Sequence, residues 1–192
     1  MSASATRQQI IEAADTLFYR NGFEHTSFAD IAAAVQLSRG NFYYHFKSKD
    51  EILDAVIALR MENTRRMLDA WEAEGAEPAD RIRSFIGILM MNRAKIMRYG
   101  CPVGTLCAEL AKLEHVAQTR ANGLFTLFRD WLRRQFAQLG HKAAAADRHA
   151  MHVLARSQGV ASLANAFRDE SFIRREVTDL NAWLDGLAKP QR

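Results

Sequence analysis

The sequence predicts an all-α fold, and three observations point to it. Alanine occurs 31 times against 17 for Ile and Val together, a balance that favours helix over strand. Prolines number only three in 192 residues. Apolar residues recur at three- and four-residue steps, the helical period, over most of the chain. This length, with 48% hydrophobic residues, supports one large domain or a small and a medium one around real cores. A disordered chain and a disulfide mini-protein are both excluded.

Helix boundaries follow from capping chemistry. Thr6 with Gln9 and Ser48 with Glu51 fit the capping box, in which a hydroxyl and the side chain three residues on satisfy orphan backbone amides. Ser27 with Asp30 is a shorter version. The first helix is expected over Arg7 to Asn21, burying Ile10, Ala14, Leu17 and Phe18, with Gly22 as left-handed C-cap. The second is expected over Phe28 to Val35. A turn at Gln36 and Leu37 leads to Ser38, the N-cap of a very short third helix ending near Phe46. Ser48 caps a fourth running towards Trp71. The acidic loop Gly75 to Pro78 is the clearest break. Beyond it, helices are expected near 80–98, 102–115, 117–139, 145–167 and 170–188.

The function classes narrow in the same way. No glycine-rich phosphate loop, Gly-x-Ser-x-Gly elbow or His-Glu-x-x-His motif occurs, so an enzyme is unsupported and no cofactor is expected. His149 and His152 lie three apart beside Asp147, too few ligands for a metal site, and a solvent-exposed helix face is expected there. The longest stretch without Asp, Glu, Lys or Arg is the 11 residues Ser157 to Phe167, short of the roughly 18 to 20 that a membrane span needs. No membrane partner is expected. Met1 to Thr6 has neither a charged nor an apolar leader region, and two cysteines suit a reducing compartment, so the expected location is the cytoplasm.

Residues 27 to 46 have the layout of a helix-turn-helix, which inserts its second helix into the DNA major groove. From Ser38 to Lys49 the chain carries Arg39, Lys47 and Lys49 and no acid. At about 100° per residue, Phe42 and Phe46 fall on one side and anchor, leaving the polar residues to read. Arg39 suits guanine O6 and N7, and Asn41 suits adenine N6 and N7. Tyr43, Tyr44, His45, Lys47 and Lys49 suit phosphates or thymine methyls, and Gly40 lets the backbone approach.

The run from Thr26-Ser27-Phe28 through Ser38-Arg39-Gly40-Asn41-Phe42-Tyr43-Tyr44-His45-Phe46-Lys47-Ser48-Lys49 to Leu53 resembles the N-terminal domain of TetR-family transcriptional repressors. The resemblance covers about residues 6 to 59. It implies a TetR-like all-α protein with a DNA-binding domain at 1–50, an effector-binding and dimerisation domain at 51–192, and a linking helix near 49–74. It also implies a homodimer on a palindromic double-stranded operator. Arg39, Gly40, Asn41 and Tyr44 would read bases, while Tyr43, His45 and Lys49 would grip the backbone; Thr26, Ser27, Ser38 and Lys47 complete the expected DNA face. Gln36 stands where the family usually has a small residue in the turn.

An unknown small-molecule effector would bind among Phe85, Met90, Met97, Tyr99, Phe125, Phe128 and Trp131, an adaptable apolar set. Gly100-Cys101-Pro102-Val103-Gly104-Thr105-Leu106-Cys107 is similar to a stretch in a subset of TetR-type regulators, some responsive to oxidants or electrophiles. Pro102 at the first helical position would leave Cys101 at the N-cap, where open amides favour a thiolate, and Cys107 lies six residues on. Ile173, Val177, Leu180, Leu184 and Leu187 step by 4, 3, 4 and 3, with Trp183 beside them, and Ala155, Gly159, Ser162 and Ala166 form a small-residue stripe on the preceding helix. Together they are expected to be the dimer surface, the alternative being that a monomer uses both faces for its own core. Two other classes remain open: a helical small-molecule-binding protein, and a protein-interaction module using residues 27 to 46.

Overall fold

A computed structural model describes residues 3–188, apart from the side chains of Arg39 and Ala188. Among the described residues there are ten helices and no strand. They are α1 (Ala3–Asn21), α2 (Phe28–Ala34), α3 (Arg39–His45), α4 (Lys49–Glu74), α5 (Pro78–Met91), α6 (Arg93–Tyr99), α7 (Pro102–Lys112), α8 (Gln118–Gln138), α9 (Ala143–Phe167) and α10 (Glu170–Ala188).

Packing gathers them into two compact units, Met1–Thr64 with Thr105–Leu124, and Arg65–Gly104 with Phe125–Arg192. The unit that holds residues 1–50 therefore continues past that expected boundary and takes in a segment from the middle of the chain. In this unit Ile10, Ala14, Ile31, Phe42, Ile52, Leu53, Val56 and Leu110 are wholly buried. Removing each large side chain from water contributes roughly 1.5–3 kcal/mol. Gly22 ends α1 in the left-handed region at φ 88°, its N–H donating to Phe18 O at 3.0 Å. Thr6 lies inside α1 and is buried, so it is not an N-cap: Ala3, Ser4 and Ala5 ahead of it are already helical.

In the other unit α10 packs on α5 and α9, and α6 on α9. One cluster joins Leu68, Ile82, Phe85, Ile86, Trp131, Leu132, Phe136, Val153, Leu180 and Leu184; another joins Leu89, Ile96, Val160, Ala161, Ala164 and Ile173. Ile173, Leu180 and Leu184 are thus core, with Val177, Trp183 and Leu187 packed against the same clusters. Ile173, Leu180 and Leu184 therefore face their own unit and not an open seam, while Val177, Trp183 and Leu187 are only partly covered by it. The small-residue stripe differs: Ala155, Gly159, Ser162 and Ala166 are all exposed on α9.

The single helix expected over 80–98 is two. Asn92 sits between them at φ −104° and ψ 11°, its N–H donating to Ile88 O at 2.9 Å and its carbonyl accepting from Ile96 N at 2.8 Å. Hydrogen bonds pass through on both sides, and the Asn92 amide also donates to Ile88 O at 3.2 Å, but the backbone of Asn92 itself leaves the helical region and divides α5 from α6. No helix among the described residues is long and apolar enough to cross a membrane.

Candidate nucleic-acid interface

Ser27 begins α2 with a complete capping box: Asp30 N–H donates to Ser27 Oγ at 3.1 Å, and Asp30 Oδ2 accepts from Ser27 N at 2.8 Å and Ser27 Oγ at 2.6 Å. The Ser27 hydroxyl and then its backbone N–H hold the Asp30 carboxyl below its usual value. Between α2 and α3, Gln36 takes the left-handed conformation at φ 55°. Ser38 caps α3, its Oγ accepting from Asn41 N at 3.4 Å. Ser48 Oγ accepts from Glu51 N at 3.1 Å, while the Glu51 carboxylate takes Lys47 N at 2.8 Å and not the cap residue's own amide.

The aromatic residues of α3 divide as their spacing requires. Phe42 and Phe46 are buried; Phe28 meets Phe42 edge-on at 4.6 Å, and the Arg7 guanidinium covers the Phe46 ring at 4.7 Å. Tyr43 and Tyr44 are 48% and 72% exposed, with Asn41, Ser38 and Gly40 on the surface beside them. Apart from its chain neighbours and the backbone of its own helix, nothing lies within 4 Å of where a Cβ on Gly40 would stand, so packing does not require glycine there. His45 is half-buried, its ring edge-on to Tyr44 at 5.1 Å. The backbone of Arg39 opens α3, and its side chain lies outside the described residues.

Two expected DNA residues, Thr26 and Lys49, are placed otherwise. Thr26 is wholly buried, its hydroxyl donating to Gly22 O at 2.7 Å, so it cannot touch a ligand. The Lys49 ammonium donates to the carbonyls of Phe23 at 2.9 Å and Glu24 at 3.3 Å and stands 4.2 Å from the Phe23 ring centre, which commits it to the α1–α2 turn. Lys47 is exposed, but its ammonium folds back onto the Tyr43 carbonyl at the end of α3. Sequence reading missed Arg7, Glu109 and His115. Glu109 accepts the amides of Phe23 and Glu24, and the His115 ring lies edge-on to Phe23 at 5.2 Å. Nothing in the local pattern around 109 or 115 signals a partner so far off in sequence.

The expected effector residues divide by unit. Phe85 and Trp131 are core with Phe125 and Phe128 against them, and Phe85 meets Phe128 edge-on at 5.4 Å; Met90, Met97 and Cys101 line the second cluster. Tyr99 is half-buried next to Arg98, whose guanidinium stands 5.2 Å from its ring. Cys101 Sγ accepts from Gly104 N at 3.5 Å and Gln158 Nε2 at 3.6 Å, an N-cap arrangement. Cys107 is buried in the other unit. His149 is not on an open face: it is half-buried among His141 at 4.7 Å, Phe136 at 5.4 Å and Trp183 at 5.6 Å. Among the described residues no group of three or more His, Cys, Asp or Glu is placed to hold a metal ion.

Known proteins share these features. The family model described as bacterial regulatory proteins, tetR family, matches residues 10–56, and the one described as transcriptional regulator LmrA/YxaF-like, C-terminal domain, matches residues 78–177. An HTH-type transcriptional regulator in the lacX 3' region of Lactococcus lactis subsp. lactis is 30% identical over 63% of this chain and 63% of its own length. The HTH-type transcriptional repressor DhaR of Mycobacterium sp. (strain GP1) is 25% identical over 69% of this chain and 65% of its own length. These alignments span a little under two thirds of either relative. The crystal structure of a TetR-family regulator from Cytophaga hutchinsonii superposes with a TM-score of 0.85 at 16% identity, covering 100% of this chain and 99% of that one.

Proposed function

Given that this chain belongs to the TetR family of transcriptional regulators, we propose that it is a cytoplasmic repressor that binds a palindromic operator as a homodimer and releases it when an effector or a thiol modification acts on the larger unit. The observation that carries the DNA-binding reading is the two-sided α3. Phe42 and Phe46 are buried on one side, while Asn41, Gly40, Tyr43 and Tyr44 stand open on the other. An anchored helix with an exposed polar face is what the major groove accepts, and two such helices about 34–36 Å apart fit successive grooves.

The homodimer rests on α9, whose exposed stripe of Ala155, Gly159, Ser162 and Ala166 is flanked by Met151, Leu163 and Phe167, the last 72% exposed. Small residues let a partner helix approach closely, and the large ones supply apolar area. Effector control draws support from two features of the larger unit. Trp131 Nε1 is buried with no hydrogen-bond partner among the described residues, a donor that an acceptor on a flat ligand would satisfy. Cys101 holds its sulfur against two N–H groups. Either trigger acts by favouring a state in which the two α3 helices are wrongly spaced, a coupling worth typically about 1–3 kcal/mol.

The test is fluorescence anisotropy on a duplex selected from a random pool, against a scrambled duplex, across roughly 50–200 mM salt. A preference for the selected duplex with a steep salt slope is expected. Equal affinity for both duplexes, or none at low salt, overturns the reading. With that assay in hand, a Cys101→Ser protein that oxidant releases from DNA as readily as wild type removes the thiol route.

A further inference from the structure

The turn that joins α1 to α2 is held by opposite charges on its two sets of backbone groups. Its amides go to Glu109: Phe23 N–H donates to Oε2 and Glu24 N–H to Oε1, both at 2.9 Å. Its carbonyls go to Lys49, as described above. Bonds to ionised groups are roughly twice as strong as neutral ones, and here a carboxylate spans two successive amides. Gly22 enters the turn at φ 88°, and Glu109 Oε1 lies 2.9 Å from where its Cβ would stand, so close approach and backbone conformation both call for glycine. Thr26, bonded back to Gly22, closes the turn, and the α2 cap follows at Ser27.

We propose that Glu109 is a positioning residue for DNA recognition. It touches none of the α3 face; it fixes the turn from which α2 departs, and with it the attitude of the α2–α3 pair against α1. The inference rests on the DNA-binding reading above. Glu109→Gln is the informative variant, because a carboxamide keeps the size, accepts one amide and turns its own N–H2 towards the other.

The experiment measures Glu109→Gln and wild type on the selected and scrambled duplexes over the same salt range, together with the unfolding temperature of each protein. The expected result is operator affinity about tenfold weaker, with unchanged affinity for scrambled DNA and an unchanged salt slope, since the phosphate contacts remain. Equal operator affinity overturns the proposal. A parallel loss on both duplexes with a lowered unfolding temperature also overturns it, because it marks a merely structural role. If wild type itself does not discriminate, the DNA-binding reading has failed, and this inference goes with it. Should the variant not fold, hydrogen exchange at the Phe23 and Glu24 amides of wild type decides: protection that rises on adding operator supports the proposal, and unprotected amides refute it.

Discussion

At the scale of the residue, α3 separates what folding needs from what binding needs. Packing does not require glycine at Gly40, so Gly40→Ala is expected to raise stability by about 0.5 kcal/mol through helix propensity while weakening operator binding about tenfold by holding the backbone off the groove. Thermal unfolding and anisotropy on the one variant check both signs. Gln36 gives the converse case, since its φ of 55° costs a side chain what glycine does not pay. Gln36→Gly is expected to gain about 1 kcal/mol, read as a higher unfolding temperature with operator affinity unchanged. Local chemistry of this kind was legible: Ser27, Ser38 and Gly22 cap as their residue types suggest. The duties of Thr26 and Lys49 were not, because a hydroxyl or ammonium in sequence does not show whether its partner is a phosphate or a carbonyl 25 residues away.

At the scale of the element, helix positions were legible because period and caps are local, and the departures have local causes. The break at Asn92 goes with a single residue whose backbone leaves the helical region and whose side-chain amide bonds Ile88 O, which periodicity does not register. On α9, His149 was expected in solvent and lies in an aromatic cluster. Burial first, then the charges of His141, Arg148 and His152, lower its pKa from the ordinary 6.5. A base with a depressed folded pKa is neutral in the native state and takes up its proton more readily when unfolded. Stability of the larger unit is therefore full above about pH 6.5 and falls as pH drops below it towards the native-state pKa. Thermal denaturation from pH 8 to pH 5 should show that decline, and His149→Phe should flatten it.

At the scale of the whole molecule, the two ends of the sequence differed in legibility. The DNA-binding segment is compact in sequence, so one stretch of about fifty residues carried its pattern. The larger unit is assembled from distant helices, and an apolar step pattern on α10 marks burial without saying whose surface does the burying. The exposed face of α9 carries the quaternary prediction. Leu163→Glu or Gly159→Arg should give a monomer by sedimentation velocity while leaving the helical content intact. Such a monomer has one half-site grip instead of two, and its operator affinity should fall by about a hundredfold or more.

The compact unit around α3 is built from two separate stretches, and this bears on how such proteins can be recombined. A graft that cut the chain near residue 50 and joined it to a foreign sensor core would leave Glu109 and His115 behind, so the turn between α1 and α2 would arrive without its carboxylate. The transplantable piece is discontinuous. A working hybrid of this regulator would carry residues 105–124 along with the amino-terminal segment, or take a host whose own helix offers an acid at the corresponding place.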